Sequence, residues 1–180
     1  ERPYTVGPAR DERELATLLD ISAHTYGMAR DMADRYAATV GHGNFRICRL
    51  NGDVVGGLAL IPCGQYFGGR SVPMNGIALV PTAPQHRGSG AASALLRETM
   101  HELRTEGWAI SSLYPATVPL YRRAGYELAG SRHEINLHLR EMNMNDREMD
   151  VRPIAPGDHR ELVALHRERC VRLPGNVDRT

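Results

Sequence analysis

The sequence predicts an α/β protein in which a mixed, mainly antiparallel sheet is flanked by helices. Three observations lead to this class: apolar alternation on both sides of a short turn, a strand that runs directly into a helix, and leucine-rich segments with helical spacing. Alternation with a period of two is typical of half-buried strands, and a period near 3.6 is typical of amphipathic helices. The predicted order is helices, antiparallel strands, strand–helix–strand, short helix and hairpin.

Two helices are expected near the N-terminus. After a short strand in PYTV, leucines recur at helical spacing between Arg10 and Ser22, behind an acidic first turn. Acidic residues in the first turn stabilise a helix through its dipole, so this segment favours an amphipathic helix. A second, shorter helix is predicted from about Ala29 to Val40.

A β-hairpin is predicted next. The segments NFRICRL and DVVGGLALIPC alternate apolar and polar residues on either side of Asn51-Gly52. Asn-Gly pairs tolerate the positive backbone angles of a two-residue hairpin turn. A further turn in YFGGRSV leads into SVPMNGIALV, a mainly apolar strand that ends just before the segment PQHRGSGAAS.

After the segment PQHRGSGAAS, the sequence predicts alternating helices and strands. Apolar residues with helical spacing predict a helix from about Gly90 to Glu106, which ends at Gly107. The segment WAISSLY is then expected to be a strand and VPLYRRAG a short helix with a proline in its first turn. The segments YELAG and HEINLHL are expected to form a final β-hairpin.

Composition narrows the classes of function. The chain has 180 residues and a formal net charge of +1, without a basic block, so no nucleic-acid partner is expected. It shows neither a secretory signal nor an apolar run long enough for a membrane span, so we expect no membrane partner. All 22 basic residues are arginine, which excludes a Schiff-base lysine and the lysine of a phosphate-binding P-loop.

The three cysteines do not suggest a disulfide framework. Cys48, Cys63 and Cys170 are odd in number and far apart, and none belongs to a CxxC pair. Disulfide frameworks and zinc sites require paired cysteines at characteristic spacings. The sequence therefore predicts no metal site, and a reducing cytoplasm as the location.

An internal repeat divides the chain. The segment MDVRPIAPGDHRELVALHRERC follows the same pattern as PYTVGPARDERELATLLDIS: a short strand, a Pro/Gly turn, Asp and a leucine-bearing helix. The polar, Met- and Asn-rich stretch before the repeat is typical of a linker. We therefore expect a first domain at residues 1–140, a linker at 141–150, and the beginning of a second, apparently truncated domain at 151–180.

The segment Gln85-His86-Arg87-Gly88-Ser89-Gly90 places two glycines directly before a predicted helix. A helix N-terminus offers unsatisfied N–H groups and the positive end of its dipole, and glycine lets an anion approach them. The segment is not the dinucleotide-binding fingerprint, because Ser93 occupies the third glycine position. Two interpretations remain open for the isolated motif: a phosphate site or a simple tight turn.

The surrounding sequence resembles the GCN5-related N-acetyltransferase (GNAT) superfamily. The pyrophosphate loop of that family has the form Gln/Arg-x-x-Gly-x-Gly/Ala, which residues 85–90 match in full. A second element, Y-x-x-x-G-Y, spans Tyr121 to Tyr126, and the resemblance covers roughly residues 3 to 140. Within the superfamily the chain is most similar to the enhanced-intracellular-survival (Eis-like) acetyltransferases.

The resemblance implies a GNAT fold and an N-acetyltransferase that moves an acetyl group from acetyl-CoA, its cosubstrate, to a primary amine by direct attack. It implies that Tyr121 is the general acid. It also implies that acetyl-CoA binds to the main chain of Ile77, Ala78 and Leu79, to the loop and helix start formed by Gln85, His86, Arg87, Gly88, Ser89, Gly90, Ala91 and Ala92, and near Ala116 and Leu120. Ala116 departs from the serine that is usual at its position.

The Eis-like resemblance also implies a larger assembly. Such enzymes carry a second, degenerate GNAT-like domain and a sterol-carrier-like C-terminal region, and they form hexamers, so we expect a homo-oligomer. Their general base is thought to be the C-terminal carboxylate of the complete chain. Within this sequence His24, Asp31 and Asp34 are candidates for the base, or acidic attractants for a cationic amine.

Several functional questions stay open at the level of sequence. Aminoglycosides, polyamines and lysine side chains are all possible amine substrates by resemblance. The alternative function is a non-catalytic acyl-CoA-binding or sensor domain, which keeps the phosphate loop and lacks a working base.

Overall fold

A mixed sheet forms the centre of the protein. The computed structural model describes residues 3–131, 133–138, 140 and 151–178, and within them the sheet has six strands. Their order across the sheet is β1-β2-β3-β4-β5, with β6 paired to β3 beyond the end of β2. Neighbouring strands are antiparallel except β4 and β5, which are parallel. The predicted fold class is confirmed. The strands are β1 Tyr4–Pro8, β2 Phe45–Leu50, β3 Asp53–Phe67, β4 Arg70–Ala78, β5 Ile110–Leu113 and β6 Val177–Asp178.

Five α-helices occur in the described part of the chain. They are α1 Glu12–Tyr26, α2 Arg30–Val40, α3 Ala91–Thr105, α4 Val118–Arg123 and α5 His159–Val171. The predicted helices are therefore confirmed. Asp11 caps the N-terminus of α1, where its carboxylate accepts a hydrogen bond from the Glu14 N–H at 2.9 Å, and Gly27, with a φ of 62°, caps the C-terminus. Among the described residues no helix has both the length and the apolar character needed to span a bilayer.

Tight turns connect β2 to β3 and β3 to β4. Asn51 and Gly52 have φ angles of 54° and 95°, which is the conformation that a two-residue hairpin turn requires. The hairpin predicted around this pair is therefore confirmed. Strand β3 is longer than β2, so the hairpin of β3 and β4 extends past the end of β2.

The sheet buries a separate apolar layer on each face. Alternate residues of β2 point to opposite faces, so Phe45 and Ile47 pack in one layer and Cys48 in the other. The first layer contains side chains of α1 and α2, and the second contains side chains of α3 and α4. Buried members of the first layer are Leu15, Leu18, Leu19, Ala33, Ala37, Phe45, Ile47 and Ala59. Those of the second are Cys48, Val55, Leu58, Leu60, Ile77, Ala91, Leu95, Leu96, Leu103 and Tyr121.

Two buried arginines of β2 bind one helix on each face. Arg49 Nη2 lies 2.5 Å from Glu14 Oε2 of α1, and Arg46 Nη2 lies 2.8 Å from Glu102 Oε1 of α3. Arg49 also donates to the Pro8 carbonyl oxygen at 2.7 Å. Because both guanidinium groups are bidentate and hydrogen-bonded to backbone as well, they fix the position of α1 and α3 on the sheet.

The predicted hairpin at YELAG and HEINLHL is wrong, because residues 126–131 and 133–138 form no strand. The Tyr126 N–H donates to the Tyr121 carbonyl oxygen at 3.1 Å, so this residue closes α4 instead of beginning a strand. Further along, Ile135 and Leu137 are 78% and 62% exposed. An alternating pattern forms a strand only beside a partner, and β5, the nearest strand in sequence, has only four residues.

The C-terminal segment contacts the first half of the chain. The Gly175 N–H donates to the Tyr66 carbonyl oxygen at 2.7 Å, and the Gln65 side chain donates to the Gly175 carbonyl oxygen at 2.8 Å. Strand β6 pairs with Gly64 and Gln65 of β3. The helix predicted by the repeat is confirmed as α5, whereas its short strand is wrong, because residues 151–155 form none. The predicted linker at 141–150 lies outside the described residues.

Candidate active site

The candidate site begins where strands β4 and β5 separate. Their parallel ladder ends at the pair Ile77 and Leu113. Two residues beyond Ile77, Leu79 has a φ of 47°, a left-handed backbone conformation that residues other than glycine rarely adopt. The chain then runs beside β3, where Thr82 bridges to Gly56, and not beside β5. A gap therefore opens between the ends of β4 and β5.

Gly56 and Gly57 of β3 allow the segment that follows β4 to run close beside β3. The Gly57 N–H donates to the Pro81 carbonyl oxygen at 3.3 Å, and the Ala83 N–H donates to the Val55 carbonyl oxygen at 2.9 Å. A Cβ atom on Gly56 would lie 2.5 Å from the Pro81 carbonyl oxygen. Gly56 was not among the predicted site residues, although a glycine pair inside a strand is a signal of close backbone approach.

The loop after this crossing leads into α3. A 3₁₀ turn at Pro84–His86 is followed by Gly88 and Gly90, whose φ angles are 75° and 92°. The Ser89 hydroxyl donates to the His86 carbonyl oxygen at 2.6 Å, and the Tyr4 hydroxyl donates to the Ser89 carbonyl oxygen at 3.0 Å. These two hydrogen bonds fix the loop internally and attach it to β1.

The start of α3 fits an anion. Gly90 is the N-cap residue and no side chain caps the helix, so the first-turn N–H groups have no partner within it. A Cβ atom on Gly88 or Gly90 would have no heavy atom within 4 Å, which leaves both positions open to a ligand. The helix dipole adds positive potential at this end. An adjoining groove of about 350 Å³ is lined by Pro3, Tyr4, Ser89, Gly90, Ser93, Ala94, Arg97 and Glu98.

The predicted cofactor residues lie in three parts of the chain: the end of β4, the loop and start of α3, and the segment from β5 to α4. Ile77 and Ala78 end β4, and Leu79 is the next residue. Gln85 and His86 belong to the 3₁₀ turn, while Arg87, Gly88, Ser89 and Gly90 form the exposed loop, and Ala91 and Ala92 begin α3. Ala116 is exposed in the connection between β5 and α4, and Leu120 lies on α4 beside Tyr121.

Tyr121 is buried on α4 with only 7% of its surface exposed. Its ring contacts the ring of Tyr126 edge to face, with centroids 6.2 Å apart and an interplanar angle of 84°. The Tyr126 hydroxyl is within 2.6 Å of Ser111 Oγ and 3.2 Å of Met100 Sδ, which fixes this second ring. Burial, together with charge interaction with Tyr26, raises the pKa of Tyr121, so its phenol keeps its proton at neutral pH.

The acidic candidates on α2 are already paired with arginine. Asp31 Oδ2 lies 3.0 Å from Arg35 Nη2, and Asp34 Oδ1 accepts a hydrogen bond from Arg30 Nε at 3.0 Å. His24 is exposed on α1. Within the part of the chain that the structure describes, no group of three or more His, Cys, Asp and Glu side chains is placed to hold a metal ion.

The chain is similar over almost all of its length to a solved structure. A GCN5-related N-acetyltransferase from Anabaena variabilis matches 98% of this chain with a TM-score of 0.84 and 31% sequence identity. The match covers 45% of that protein's chain. A GNAT family acetyltransferase from Brucella melitensis, solved in complex with acetyl-CoA, matches 71% of this chain and 85% of its own at 20% identity, with a TM-score of 0.56. This second likeness concerns the fold.

Curated relatives include N-acetyltransferase Eis from Mycobacterium tuberculosis and Mycobacterium bovis. They are 26% identical to this chain over 114 residues, which is 59% of this chain and 28% of theirs. The chain thus spans less than a third of their length. The family described as the acetyltransferase (GNAT) domain matches residues 9–129, which include the gap, the glycine loop and Tyr121. This chain therefore belongs to the GNAT family of acetyltransferases.

Proposed function

We propose that the chain is an acetyl-CoA-dependent N-acetyltransferase that acts on a primary amine. The observation that carries this proposal is the uncapped, two-glycine start of α3, which follows in the sequence the point where β4 leaves β5. The Brucella melitensis relative in complex with acetyl-CoA and the N-acetyltransferases named Eis support the same cosubstrate and reaction. Acetyl-CoA supplies the acetyl group as an activated thioester.

The main chain would provide most of the binding. The N–H groups from Arg87 to Ala92 would hold the pyrophosphate, because they stand at the positive end of α3 and the two glycines leave room. Gln85, His86 and Arg87 would border the phosphates. The pantetheine arm would bind along the end of β4 at Ile77, Ala78 and Leu79, and its sulfur end would lie near Ala116 and Leu120.

The proposed transfer is a direct attack. The neutral amine nitrogen attacks the thioester carbonyl carbon, so a C–N bond forms and the C–S bond breaks. The attacking nitrogen loses one proton to solvent water, which leaves a neutral amide. Main-chain N–H groups at the end of β4 stabilise the charge that develops on the carbonyl oxygen. The Tyr121 hydroxyl donates its proton to the departing thiolate sulfur, and the Tyr121 phenolate regains a proton from solvent. Because its pKa is raised, the phenol holds this proton tightly and gives it up only when the sulfur is placed beside it.

The finer assignments belong to the same proposal. We propose that the chain is Eis-like, that it acts in the cytoplasm, and that it assembles as a homo-oligomer. Its substrate would be an aminoglycoside, a polyamine or a lysine side chain. The described acidic residues of α2 are paired with arginine and do not favour any of the three.

Calorimetric titration with acetyl-CoA tests the binding step. The variant Gly90→Val is compared with Gly107→Val, since the two glycines flank opposite ends of α3, have φ angles of 92° and 85°, and would each carry a Cβ atom with no heavy atom within 4 Å. Both variants bear the same backbone strain, and only the first blocks the proposed phosphate site. We expect Gly90→Val to abolish binding and Gly107→Val to keep it. Equal effects would contradict the phosphate site.

Thiol release tests the reaction. Acetyl-CoA is mixed in turn with kanamycin, spermidine and lysine methyl ester, and Tyr121→Phe is compared with Tyr114→Phe, whose residue is 86% exposed. We expect Tyr121→Phe to lower turnover by about 10²-fold while acetyl-CoA affinity is kept, and Tyr114→Phe to match the parent. A parent that binds acetyl-CoA but releases no thiol with any amine would favour the acyl-CoA-binding or sensor function instead.

A further inference from the structure

Tyr126 follows α4 and folds back onto that helix. Gly125 has a φ of 97°, and beyond this left-handed residue the Tyr126 N–H donates to the Tyr121 carbonyl oxygen at 3.1 Å. The partly buried Tyr126 side chain packs in the same apolar layer as Tyr121. Backbone and side chain of Tyr126 therefore both contact the helix turn that carries Tyr121.

The Tyr126 phenol connects a strand to a helix. Its oxygen lies 2.6 Å from Ser111 Oγ of β5, and its O–H donates to Met100 Sδ of α3 at 3.2 Å. A thioether sulfur only accepts hydrogen bonds, so the phenol proton points to Met100 and the Ser111 hydroxyl donates to the phenol oxygen. Burial raises the pKa of Tyr126 to about 12, so the phenol keeps its proton. The ring is thus fixed by two elements at once.

Ser111 places this anchor just before the gap. In the parallel ladder Ser111 lies opposite Asn75, and Leu113 lies opposite Ile77 in the last pair before β4 and β5 separate. Residues that lie opposite each other point to the same face of a sheet, and Ile77 points to the face that carries α3 and α4. Among the described residues the buried Asn75 Oδ1 has no hydrogen-bond partner, so it does not compete for the Ser111 proton.

The fixed Tyr126 ring is the surface against which Tyr121 packs. The two rings meet edge to face, with centroids 6.2 Å apart and an interplanar angle of 84°. This geometry is attractive between aromatic rings and sets their mutual orientation. A misplacement of about 1 Å in a catalytic site can lower the rate by about 10²-fold. The orientation of the Tyr121 phenol therefore depends on a ring that is itself held by hydrogen bonds.

We propose that Tyr126 is a positioning residue of the acetyl transfer: its hydroxyl, held by Ser111 and Met100, fixes the ring that orients the Tyr121 phenol toward the thioester sulfur. This inference rests on the proposed function, in which Tyr121 is the general acid. Tyr126 is not among the residues proposed to bind acetyl-CoA. Loss of its hydroxyl should therefore lower turnover and leave acetyl-CoA affinity unchanged.

The test is a double-mutant cycle. Tyr126→Phe keeps the ring and removes its hydroxyl, whereas Ser111→Ala removes the other half of the same hydrogen bond and keeps both rings. Each change is made in the parent and in Tyr121→Phe. Tyr66→Phe controls for the loss of a tyrosine hydroxyl, because Tyr66 is buried on β3 beside the C-terminal segment. Thiol release with kanamycin, spermidine or lysine methyl ester gives kcat and KM, and calorimetry gives the Kd for acetyl-CoA.

In the parent we expect Tyr126→Phe and Ser111→Ala each to lower kcat by about tenfold, with KM and the acetyl-CoA Kd within about twofold of the parent values. Tyr66→Phe should match the parent. In the Tyr121→Phe background neither change should lower kcat further, because the phenol that they orient is gone. If Tyr126→Phe fails to fold, Ser111→Ala decides by the same criteria.

The outcomes separate this inference from the proposed function. An unchanged kcat in the parent background, a further tenfold loss in the Tyr121→Phe background, or an equal loss of acetyl-CoA affinity would overturn the positioning role alone. A Tyr121→Phe variant as active as the parent would overturn the general acid and this inference with it. A parent that releases no thiol with any of the three amines would overturn the proposed function as a whole.

Discussion

Gly56 of β3 and Pro81, beyond the end of β4, approach so closely that a Cβ atom on Gly56 would lie 2.5 Å from the Pro81 carbonyl oxygen. This contact holds the chain beside β3 after it has left β5. The gap at the proposed acetyl-transfer site and the position of the glycine loop both follow from it, because only a few residues separate Pro81 from Gly88.

Replacement of Gly56 by alanine should therefore disturb both stability and cofactor binding. We expect Gly56→Ala to lower the free energy of unfolding by about 1–3 kcal/mol, as overpacking against backbone does, and to weaken acetyl-CoA binding. Gly7→Ala is the matched control, because Gly7 also lies in a strand and a Cβ there would have no heavy atom within 4 Å. Denaturant unfolding and calorimetry measure the two effects. Equal stability of both variants would contradict the close approach.

The Glu14–Arg49 ion pair should make stability depend on acid pH. The hydrogen bond from Arg49 is the largest cause that lowers the pKa of Glu14 from 4.5 to about 2. A carboxylate whose pKa is lower in the folded state stabilises the fold above its unfolded pKa, and this contribution is lost as pH falls through the folded pKa. The parent should therefore lose this stabilisation between about pH 4.5 and about pH 2.

The variant Glu14→Gln tests whether Glu14 causes this pH dependence of stability. It should lack this part of the pH dependence, so the difference in unfolding free energy between parent and variant should shrink as the pH falls through that range. Glu12→Gln removes a neighbouring, exposed carboxylate from the same helix turn and controls for the helix dipole. A difference that stays constant with pH would show that Glu14 is not the group responsible.

The Arg46–Glu102 ion pair should contribute more to the free energy of unfolding than an exposed ion pair of the same type. The Arg46 side chain is 9% exposed, whereas that of Arg172, paired with Glu168, is 74% exposed. Glu102→Ala leaves a buried guanidinium without its carboxylate, and because Glu102 itself is partly exposed we expect a cost of about 1–3 kcal/mol. Glu168→Ala should change stability by no more than about 0.5 kcal/mol. Similar costs in urea unfolding would refute this ranking.

Cys48 should resist alkylation in the folded protein. Its thiol is buried beneath the start of α3, with Sγ 3.7 Å from the Ala91 carbonyl oxygen, and burial raises its pKa from 9.0 to about 11. The thiolate is the reactive form, so iodoacetamide at pH 8 should modify the partly exposed Cys63 at least about tenfold faster. Peptide mass spectrometry distinguishes the two sites. Equal rates would mean that α3 does not cover Cys48 as described.

Elements with a local cause could be predicted from the sequence. The turn at Asn51-Gly52 forms because both residues tolerate positive φ, and α3 forms because its apolar residues recur at helical spacing. The glycine loop before α3 was found for the same reason, since its motif is contiguous. The hairpin expected at residues 126–138 shows the limit: its alternation is present, but no strand pairs with it in the described residues.

The sequence by itself determined the fold class, the helices, the central hairpin and the glycine-loop motif, because each depends on residues that are adjacent or one helical turn apart. Only the tertiary structure decided that β4 leaves β5 after Ile77 and that Pro81 packs on Gly56. Each of these contacts joins segments more than twenty residues apart. Such contacts are set by how the helices and strands pack together, and no periodicity of a single segment encodes them.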